Sequence, residues 1–124
     1  MKLDISLQKM RRILTYGGFF EAFIATLPED VVRKIDYGLS LLKKTDRVSA
    51  KFVKKVTDGI FELRTEWEGN TYRVFFIFDE DNIVVLFNGF QKKTQKTPKS
   101  EIERVKRIKE DYYETRKRSH NQGL

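Results

Sequence analysis

Three consecutive runs with the composition of β-strands, all within residues 59–98, constrain the fold more than any other part of the chain. The runs are GIFELRTEW, TYRVFFIF and IVVLFNGF, and short polar segments separate them. Branched and aromatic residues of this kind fit the pleated, half-buried surface of a sheet. The third run continues into a basic loop that ends at Pro98. We therefore predict an antiparallel sheet whose last strand leads into a positively charged segment.

The first two runs are expected to form a hairpin through a two-residue turn at Gly69-Asn70. This register places Arg64 diagonal to Arg73, roughly 7–8 Å apart at the backbone. Because alternate side chains point to opposite sides of a strand, the two arginines share the polar face of the sheet. Two guanidinium groups at this spacing could hold one phosphate group or two successive ones. The alternative is that Arg73 only forms a surface ion pair with Glu66 across the hairpin.

The third run is expected to return antiparallel to the second through the loop 79–82. In this register Arg73 lies opposite Asn88, and Val85 and Phe87 join the apolar face of the sheet. An aromatic residue and the cations beyond it extend the polar face: Phe90, Lys92, Lys93 and Lys96. The sequence therefore predicts a site of arginines, an amide, an aromatic ring and lysines at one end of the sheet.

Helical patterns precede and follow the sheet. Residues 10–16 are predicted to form a short first strand, and the apolar residues then take helical spacing over residues 19–27 and again after Pro28. We expect these two helices to pack on the apolar face of the sheet, with residues 45–58 as a connector.

After the sheet, Thr97-Pro98 is a favourable helix start, because a hydroxyl residue precedes a proline at the first helical position. A narrow apolar seam predicts a C-terminal helix to about Glu114. Residues 115–124 are polar, basic and without pattern, so we predict a flexible tail. No linker divides the chain, and residues 1–124 are predicted to form a single domain.

The composition excludes several kinds of site. The 124-residue chain has no cysteine, so it cannot form disulfides or thiolate metal sites. Its only histidine is His120, in the predicted tail, which leaves no scaffold for a catalytic triad or a paired-histidine nuclease centre. The acidic run at 79–81 is typical of a hairpin turn. We therefore predict that the protein uses neither a metal nor a cofactor.

Positive charge is concentrated in the last third of the chain. The formal net charge is +7, and residues 92–124 hold eleven of the 25 Lys and Arg but only five of the 18 Asp and Glu. A field of this sign attracts polyanions, among which nucleic acid is the commonest, although acidic proteins also fit. No run has the length and hydropathy of a signal peptide or a membrane span. We expect a soluble cytoplasmic protein with no membrane partner.

The predicted polar face suits phosphodiester chemistry without a metal. Fixed cations stabilise the negative charge that builds up on a phosphate in the transition state. A lysine whose pKa is lowered by neighbouring cations can act as a base, and Lys92 and Lys93 are placed for this. Phe90 offers a ring on which an unpaired base can stack. Because an exposed arginine contributes little to stability, Arg73→Ala is expected to remove activity while the fold survives.

Three stretches in this order resemble a known family: DGIFELR (58–64), YRVFFIFDE (72–80) and VVLFNGFQKKTQKTPKSEIERVKRIKEDY (84–112). The sequence resembles the HigB-type toxins of the RelE/ParE superfamily, phage-associated members included, over a core of about residues 13–114. The resemblance implies an α+β fold in which two N-terminal helices pack on a curved antiparallel sheet of three to five strands, followed by a C-terminal helix. It also implies a type II toxin, an mRNA interferase that cleaves mRNA in the ribosomal A site, and a HigA-like helix-turn-helix antitoxin.

The resemblance also assigns roles to residues. Arg64 of ELR and Arg73 of YRV would hold the scissile phosphate while the RNA 2′-hydroxyl attacks it, and Lys92 and Lys93 would supply charge or proton transfer. Phe90 of GF would place a base, and it completes the predicted RNA-binding set: Asn88, Phe90 and Lys96. Some relatives have a histidine or tyrosine near the reacting bond. The predicted polar face has neither, so the general acid and base stay open.

Two other functions remain open on the sequence alone. A ParE-like toxin inhibits DNA gyrase by binding it, and one fold can host both activities. The other possible function is that of a non-catalytic protein that binds RNA or the ribosome. The face with Arg64, Arg73 and the lysines favours the endoribonuclease, because a binding inhibitor does not need it.

Overall fold

A computed structural model describes residues 10–45, 47–80, 82–92 and 97–122, with the backbone only for residues 120–122. The elements in chain order are β1 (Arg12–Thr15), α1 (Phe19–Ile24), α2 (Glu29–Lys44), β2 (Val53–Thr57), β3 (Ile60–Trp67), β4 (Asn70–Phe78), β5 (Ile83–Lys92) and α3 (Lys99–Gln122). The predicted α+β class is confirmed, as are the short first strand and the two N-terminal helices. The predicted connector contains an additional strand, β2.

The strands in the described part of the chain form one sheet in the order β1-β5-β4-β3-β2. The pairs β2–β3, β3–β4 and β4–β5 are antiparallel, whereas β1 runs parallel to β5. The sheet is therefore mixed, where the sequence predicted an antiparallel one. Tight turns force β3, β4 and β5 to alternate in direction. β1 joins the rest of the sheet through the two helices, which leaves its direction free.

The β3–β4 hairpin turns one residue earlier than predicted. Glu68 and Gly69 occupy the turn, and both have positive φ (49° and 80°), as a type I′ turn requires. Arg64 then pairs directly with Arg73 instead of lying diagonal to it. Because moving the turn by one residue shifts the pairing by two, each side chain keeps its predicted face.

The third strand presents its apolar residues to the face opposite the predicted one. Val84 pairs with Phe78, whereas the predicted register placed Ile83 there. A one-residue slip moves every side chain of a strand to the other face. Val85 and Phe87 therefore face α3, which corrects the prediction that they join the face covered by the N-terminal helices.

A β-bulge in β5 changes the pairing further along this strand. Phe87 and Asn88 both lie opposite the single residue Phe75 of β4. The extra residue brings Phe90 opposite Arg73, the position that the sequence predicted for Asn88. A bulge of this kind re-aims the side chains beyond it, so it decides which residues of β5 join the candidate site.

Helices cover both faces of the sheet. α1 and α2 cover one face, where buried residues form the first core: Val31, Ile35, Leu42, Leu63, Tyr72, Val74, Phe76, Val84 and Leu86. α3 packs on the other face and forms the second core: Ile60, Phe75, Ile77, Val85, Phe87, Val105 and Ile108. The strand residues of this second core lie toward the β4–β5 turn. Arg64 and Arg73 lie on the same face of the sheet as the second core, but closer to the β3–β4 turn than its residues do.

α3 continues to Gln122, so the predicted flexible tail from residue 115 is wrong for the described part of that segment. The reason is a set of contacts distant in sequence. Tyr112 donates a hydrogen bond to buried Asp79 in the β4–β5 turn, and burial together with this contact raises the pKa of Tyr112. Arg116 donates to Asp79 at 2.9 Å and to Glu80 at 2.6 Å. These bonds hold the last turns of α3 against the sheet.

We expect Arg116→Ala to lower the free energy of unfolding by about 1 kcal/mol, because the arginine is half exposed although Asp79 is buried. Amide exchange of residues 117–122 should become faster than that of residues 102–110. Hydrogen exchange and urea denaturation test this, with Lys117→Ala as a control cation on the same helical turn. Equal protection in the two variants would show that the ion pairs do not hold the helix end.

Candidate nucleic-acid interface

Four cations from four neighbouring strands meet on the face shared with α3. They are Lys54 of β2, Arg64 of β3, Arg73 of β4 and Lys92 of β5, and we call them the basic cluster. Their charges act on one another: Arg73, Lys54 and Arg64 each lower the pKa of Lys92. Three of the four were predicted from the sequence. Lys54 lies in the segment predicted to be a connector, but its pairing with Glu62 places it on the same face of the sheet as Arg64.

Arg64 and Arg73 form a close pair across the β3–β4 ladder. The backbone N–H of Arg64 donates to the carbonyl of Phe52 at 2.6 Å, so the polar backbone groups of Arg64 face away from β4. Arg64 and Arg73 are therefore a non-hydrogen-bonded pair, whose Cα atoms are typically about 4.5 Å apart and whose side chains are closest. Like charges directly opposite each other are destabilising. The pair thus requires nearby anions, either from the protein or from a ligand.

A buried carboxylate compensates Arg73. The Nη1 atom of Arg73 donates to Oε1 of Glu62 at 2.6 Å, and their side chains are 5% and 1% exposed. The other carboxylate oxygen of Glu62 accepts a hydrogen bond from Thr97, just before α3, at 3.1 Å. The alternative pairing of Arg73 with Glu66 is therefore wrong, and so is the expectation that Arg73 is exposed. The Arg73 guanidinium group is a fixed, buried charge.

Arg64 is the more accessible of the two arginines. Its side chain is 31% exposed, and its Nη2 atom lies 3.5 Å from Oε2 of Glu66, which is a long contact for an ion pair. One end of Arg64 thus remains open to an incoming anion. The structure brings the two arginines together on one face, as predicted, but with different environments.

Three buried side-chain polar atoms have no hydrogen-bond partner among the described residues. They are Nε of Arg64, Nε of Arg73 and Oδ1 of Asn88, and all three belong to residues predicted as site residues. A buried polar atom without a partner is rare and calls for an explanation such as an absent water or ligand. Two of these atoms are donors on directly paired arginines, and because both are buried, an incoming anion meets the exposed part of Arg64 first.

The aromatic and amide residues of the predicted site are less available. Phe90 is half-buried and packs on Phe75, with ring centroids 5.4 Å apart and planes tilted by 33°. Asn88, on the bulge, is 2% exposed and donates to Glu101 of α3 at 3.3 Å. Asn88 therefore ties the bulge to α3, and access to it is restricted. Lys93 and Lys96 lie outside the described residues.

Lys92 is buried at the end of β5, with 9% of its surface exposed. Burial lowers its pKa, and the charges of Arg73, Lys54 and Arg64 lower it further, whereas Glu62 opposes the shift. A lysine in this environment releases its proton at a lower pH than an ordinary lysine does. Lys92 is thus the cluster's best-placed group for proton transfer.

The fold and the basic cluster define a RelE-like α+β protein with helices on both faces of a mixed sheet and cations at one end. The family model described as Phage derived protein Gp49-like (DUF891) matches residues 22–110, which include the whole basic cluster. The chain belongs to this family, which is associated with the toxins of toxin–antitoxin systems, and an antitoxin partner is implied. A search of curated proteins found no match.

Two further features bear on the class of protein. The described residues contain no group of three or more His, Cys, Asp or Glu side chains arranged to hold a metal ion. Within the same part of the chain, none of the helices is both long and apolar enough to cross a membrane.

Proposed function

We propose that the protein is a HigB-type toxin that cleaves mRNA in the ribosomal A site and is neutralised by a HigA-like helix-turn-helix antitoxin. The observation that carries this proposal is the direct pairing of Arg64 and Arg73 across β3 and β4, with part of the Arg64 side chain open to solvent. Lys54 and Lys92 on the flanking strands add to the same positive field. An RNA backbone is the polyanion that a row of cations across four strands fits best.

The two arginines have different tasks in this proposal. Arg64, with part of its side chain exposed, contacts the scissile phosphate directly. Arg73 is fixed by Glu62 and supplies positive potential behind it. A cation that is already in place does not have to reorganise when charge develops on the phosphate, which is the main advantage of electrostatic preorganisation.

The reaction is an internal transfer within the RNA. The 2′-oxygen attacks the adjacent phosphorus, the bond between phosphorus and the 5′-oxygen breaks, and the products are a 2′,3′-cyclic phosphate and a 5′-hydroxyl. The proton of the 2′-hydroxyl goes to the neutral amine of Lys92, whose pKa is lowered. The departing 5′-oxygen takes up a proton, for which the ammonium groups of Lys54 and Lys93 are the candidate donors.

Lys92→Arg should lower the cleavage rate by about 10²–10⁴-fold, because arginine keeps the charge but stays protonated and cannot accept the proton. The wild-type rate should rise with pH as Lys92 becomes neutral. The variant should lose this rise while still binding RNA. A pH–rate profile of both proteins, with Lys43→Arg on α2 as the control, tests the role. A variant with the full rate and the same pH dependence would remove Lys92 from the mechanism.

Inducing the protein in bacteria and mapping the 5′ ends of cellular mRNA tests the function as a whole. Cuts in phase with the reading frame, on translated messages only, are expected. Stalled replication with intact mRNA would instead indicate a gyrase inhibitor of the ParE kind. Arrested translation with intact mRNA would indicate a protein that binds the ribosome or RNA without cleaving it.

A further inference from the structure

A second concave surface lies on the other side of Arg64, at the edge of the sheet. It has a volume of about 220 Å³ and lies between α2, the segment before β2, and β3. The lining residues that matter here are Lys34, Tyr37, Lys51, Phe52, Arg64 and Glu66. We call it the edge pocket. Arg64 belongs to both the edge pocket and the basic cluster, so a ligand that occupies both must pass over this residue.

Aromatic rings form one wall of the edge pocket. Tyr37 is 54% exposed, which makes it one of the most exposed large apolar side chains in the described residues. It meets Phe52 edge to face, with ring centroids 6.4 Å apart and planes at 69°. Phe52 thus supports the ring of Tyr37 from one side. Exposed rings held in this way are the platforms on which unpaired bases stack.

Cations surround the aromatic wall. The ammonium group of Lys51 lies 5.9 Å from the centroid of Phe52, and that of Lys34 lies 6.0 Å from the centroid of Trp67. With Arg64, the pocket has three cations and one carboxylate, that of Glu66. An anionic ligand with a flat apolar part matches this combination of rings and positive charge.

The third element of the edge pocket is an open strand edge. β2 pairs with β3 only as far as Leu63, and the N–H of Arg64 makes the last bond, to Phe52. Because alternate residues of a strand direct their backbone groups to the same edge, the N–H and C=O of Glu66 also face outward. Neither group has a backbone partner among the described residues. A donor and an acceptor side by side can hydrogen-bond the edge of a base.

We propose that the edge pocket binds an unpaired nucleotide of the RNA next to the phosphate at Arg64. The base lies against Tyr37, its edge bonds the backbone of Glu66, and its phosphate lies between Arg64 and Lys51. The inference rests on the proposed function, since it takes Arg64 as the residue that holds the scissile phosphate. It adds a base-binding position on the side of the sheet away from Lys92, and this position gives the protein a sequence preference.

Binding of short single-stranded RNA tests the proposal without requiring cleavage. The probe is a fluorescent oligonucleotide with 2′-O-methyl groups, which block attack by the 2′-oxygen, and binding is measured by anisotropy. Tyr37→Ala should weaken binding by about 5- to 100-fold, the effect of losing one stacked base, and Tyr37→Phe should bind like the wild type. Leu14→Ala, an exposed apolar residue on β1 at the other edge of the sheet, is the control.

The outcomes separate this proposal from the proposed function. Equal RNA binding by wild type and Tyr37→Ala overturns the edge pocket, whether or not the protein cleaves mRNA. Loss of antitoxin binding by Tyr37→Ala with unchanged RNA binding also overturns it, because the pocket would then be a protein interface. If the wild type cuts no mRNA but Tyr37→Ala still weakens RNA binding, the proposed function fails and the pocket stands as an RNA-binding site.

Discussion

Replacing Arg73 with alanine is expected to lower the free energy of unfolding by about 3–5 kcal/mol, because it leaves the carboxylate of Glu62 buried without its partner. This loss is a large fraction of the 5–15 kcal/mol that is typical of a small domain. The sequence led to the opposite expectation, that the fold would survive this change, since it placed Arg73 on an exposed surface. The variant therefore cannot serve as a clean test of activity.

Urea denaturation of single and double variants measures this contribution. Replacing both Arg73 and Glu62 with methionine removes both charges, and it should restore most of the stability that Arg73→Ala loses. Arg33→Ala, which removes two exposed ion pairs on α2, is the control and should change stability by no more than about 0.5 kcal/mol. If Arg73→Ala is as stable as the wild type, the buried pair does not hold the hairpin together.

Arg64→Ala should reduce mRNA cleavage by about 10²–10³-fold, which is the usual effect of removing one preorganised donor to a developing negative charge. Its stability should change little, because the Arg64 side chain is partly exposed and makes only a long contact with Glu66. Arg64→Lys should fall between the two, since lysine keeps the charge but cannot form the two-pronged contact of a guanidinium group. Single-turnover cleavage of ribosome-bound mRNA measures all three proteins.

The same assay includes Arg33→Ala as a control. This variant also removes one positive charge, but from α2 and not from the strands that carry the basic cluster. This control should cleave at the wild-type rate, because the net charge of the protein alone does not position a phosphate. Cleavage by Arg64→Ala at the wild-type rate would mean that Arg64 does not contact the reacting group. An equal loss in both variants would point to a general effect of charge on ribosome association.

The elements of the fold follow from local patterns, and the errors come from pairings that depend on single turns. Both possible turns of the β3–β4 hairpin contain Gly69, and only the conformation of Glu68 in the structure decides between them. The error in the hairpin turn shifts the pairing by two residues, so every side chain stays on its predicted face of the sheet. The error in β5 shifts the pairing by one residue, so the prediction placed Val85 and Phe87 in the wrong core.

Contacts distant in sequence explain what the sequence could not predict about the site. The burial of Arg73 depends on Glu62, and Glu62 in turn meets Thr97 at the start of α3. The wrong hairpin register also made Glu66 the expected partner of Arg73. Lys54 was not expected in the site because the pattern of residues 45–58 is that of a connector, whereas the structure forms β2 there. In contrast, strand alternation in the predicted hairpin placed Arg64 and Arg73 on one face, and chain order placed Lys92 just beyond the same end of the sheet. The structure brings these three together.

The most direct test of the central claim is to identify the ends of the RNA fragments that purified protein produces from mRNA on ribosomes with an empty A site. The basic cluster predicts fragments with a 5′-hydroxyl and a 2′,3′-cyclic phosphate or 3′-phosphate, formed by wild type and Arg33→Ala and nearly absent with Arg64→Ala. Intact mRNA with the wild-type protein, or cleavage that does not depend on Arg64, would contradict the claim that these cations cleave RNA.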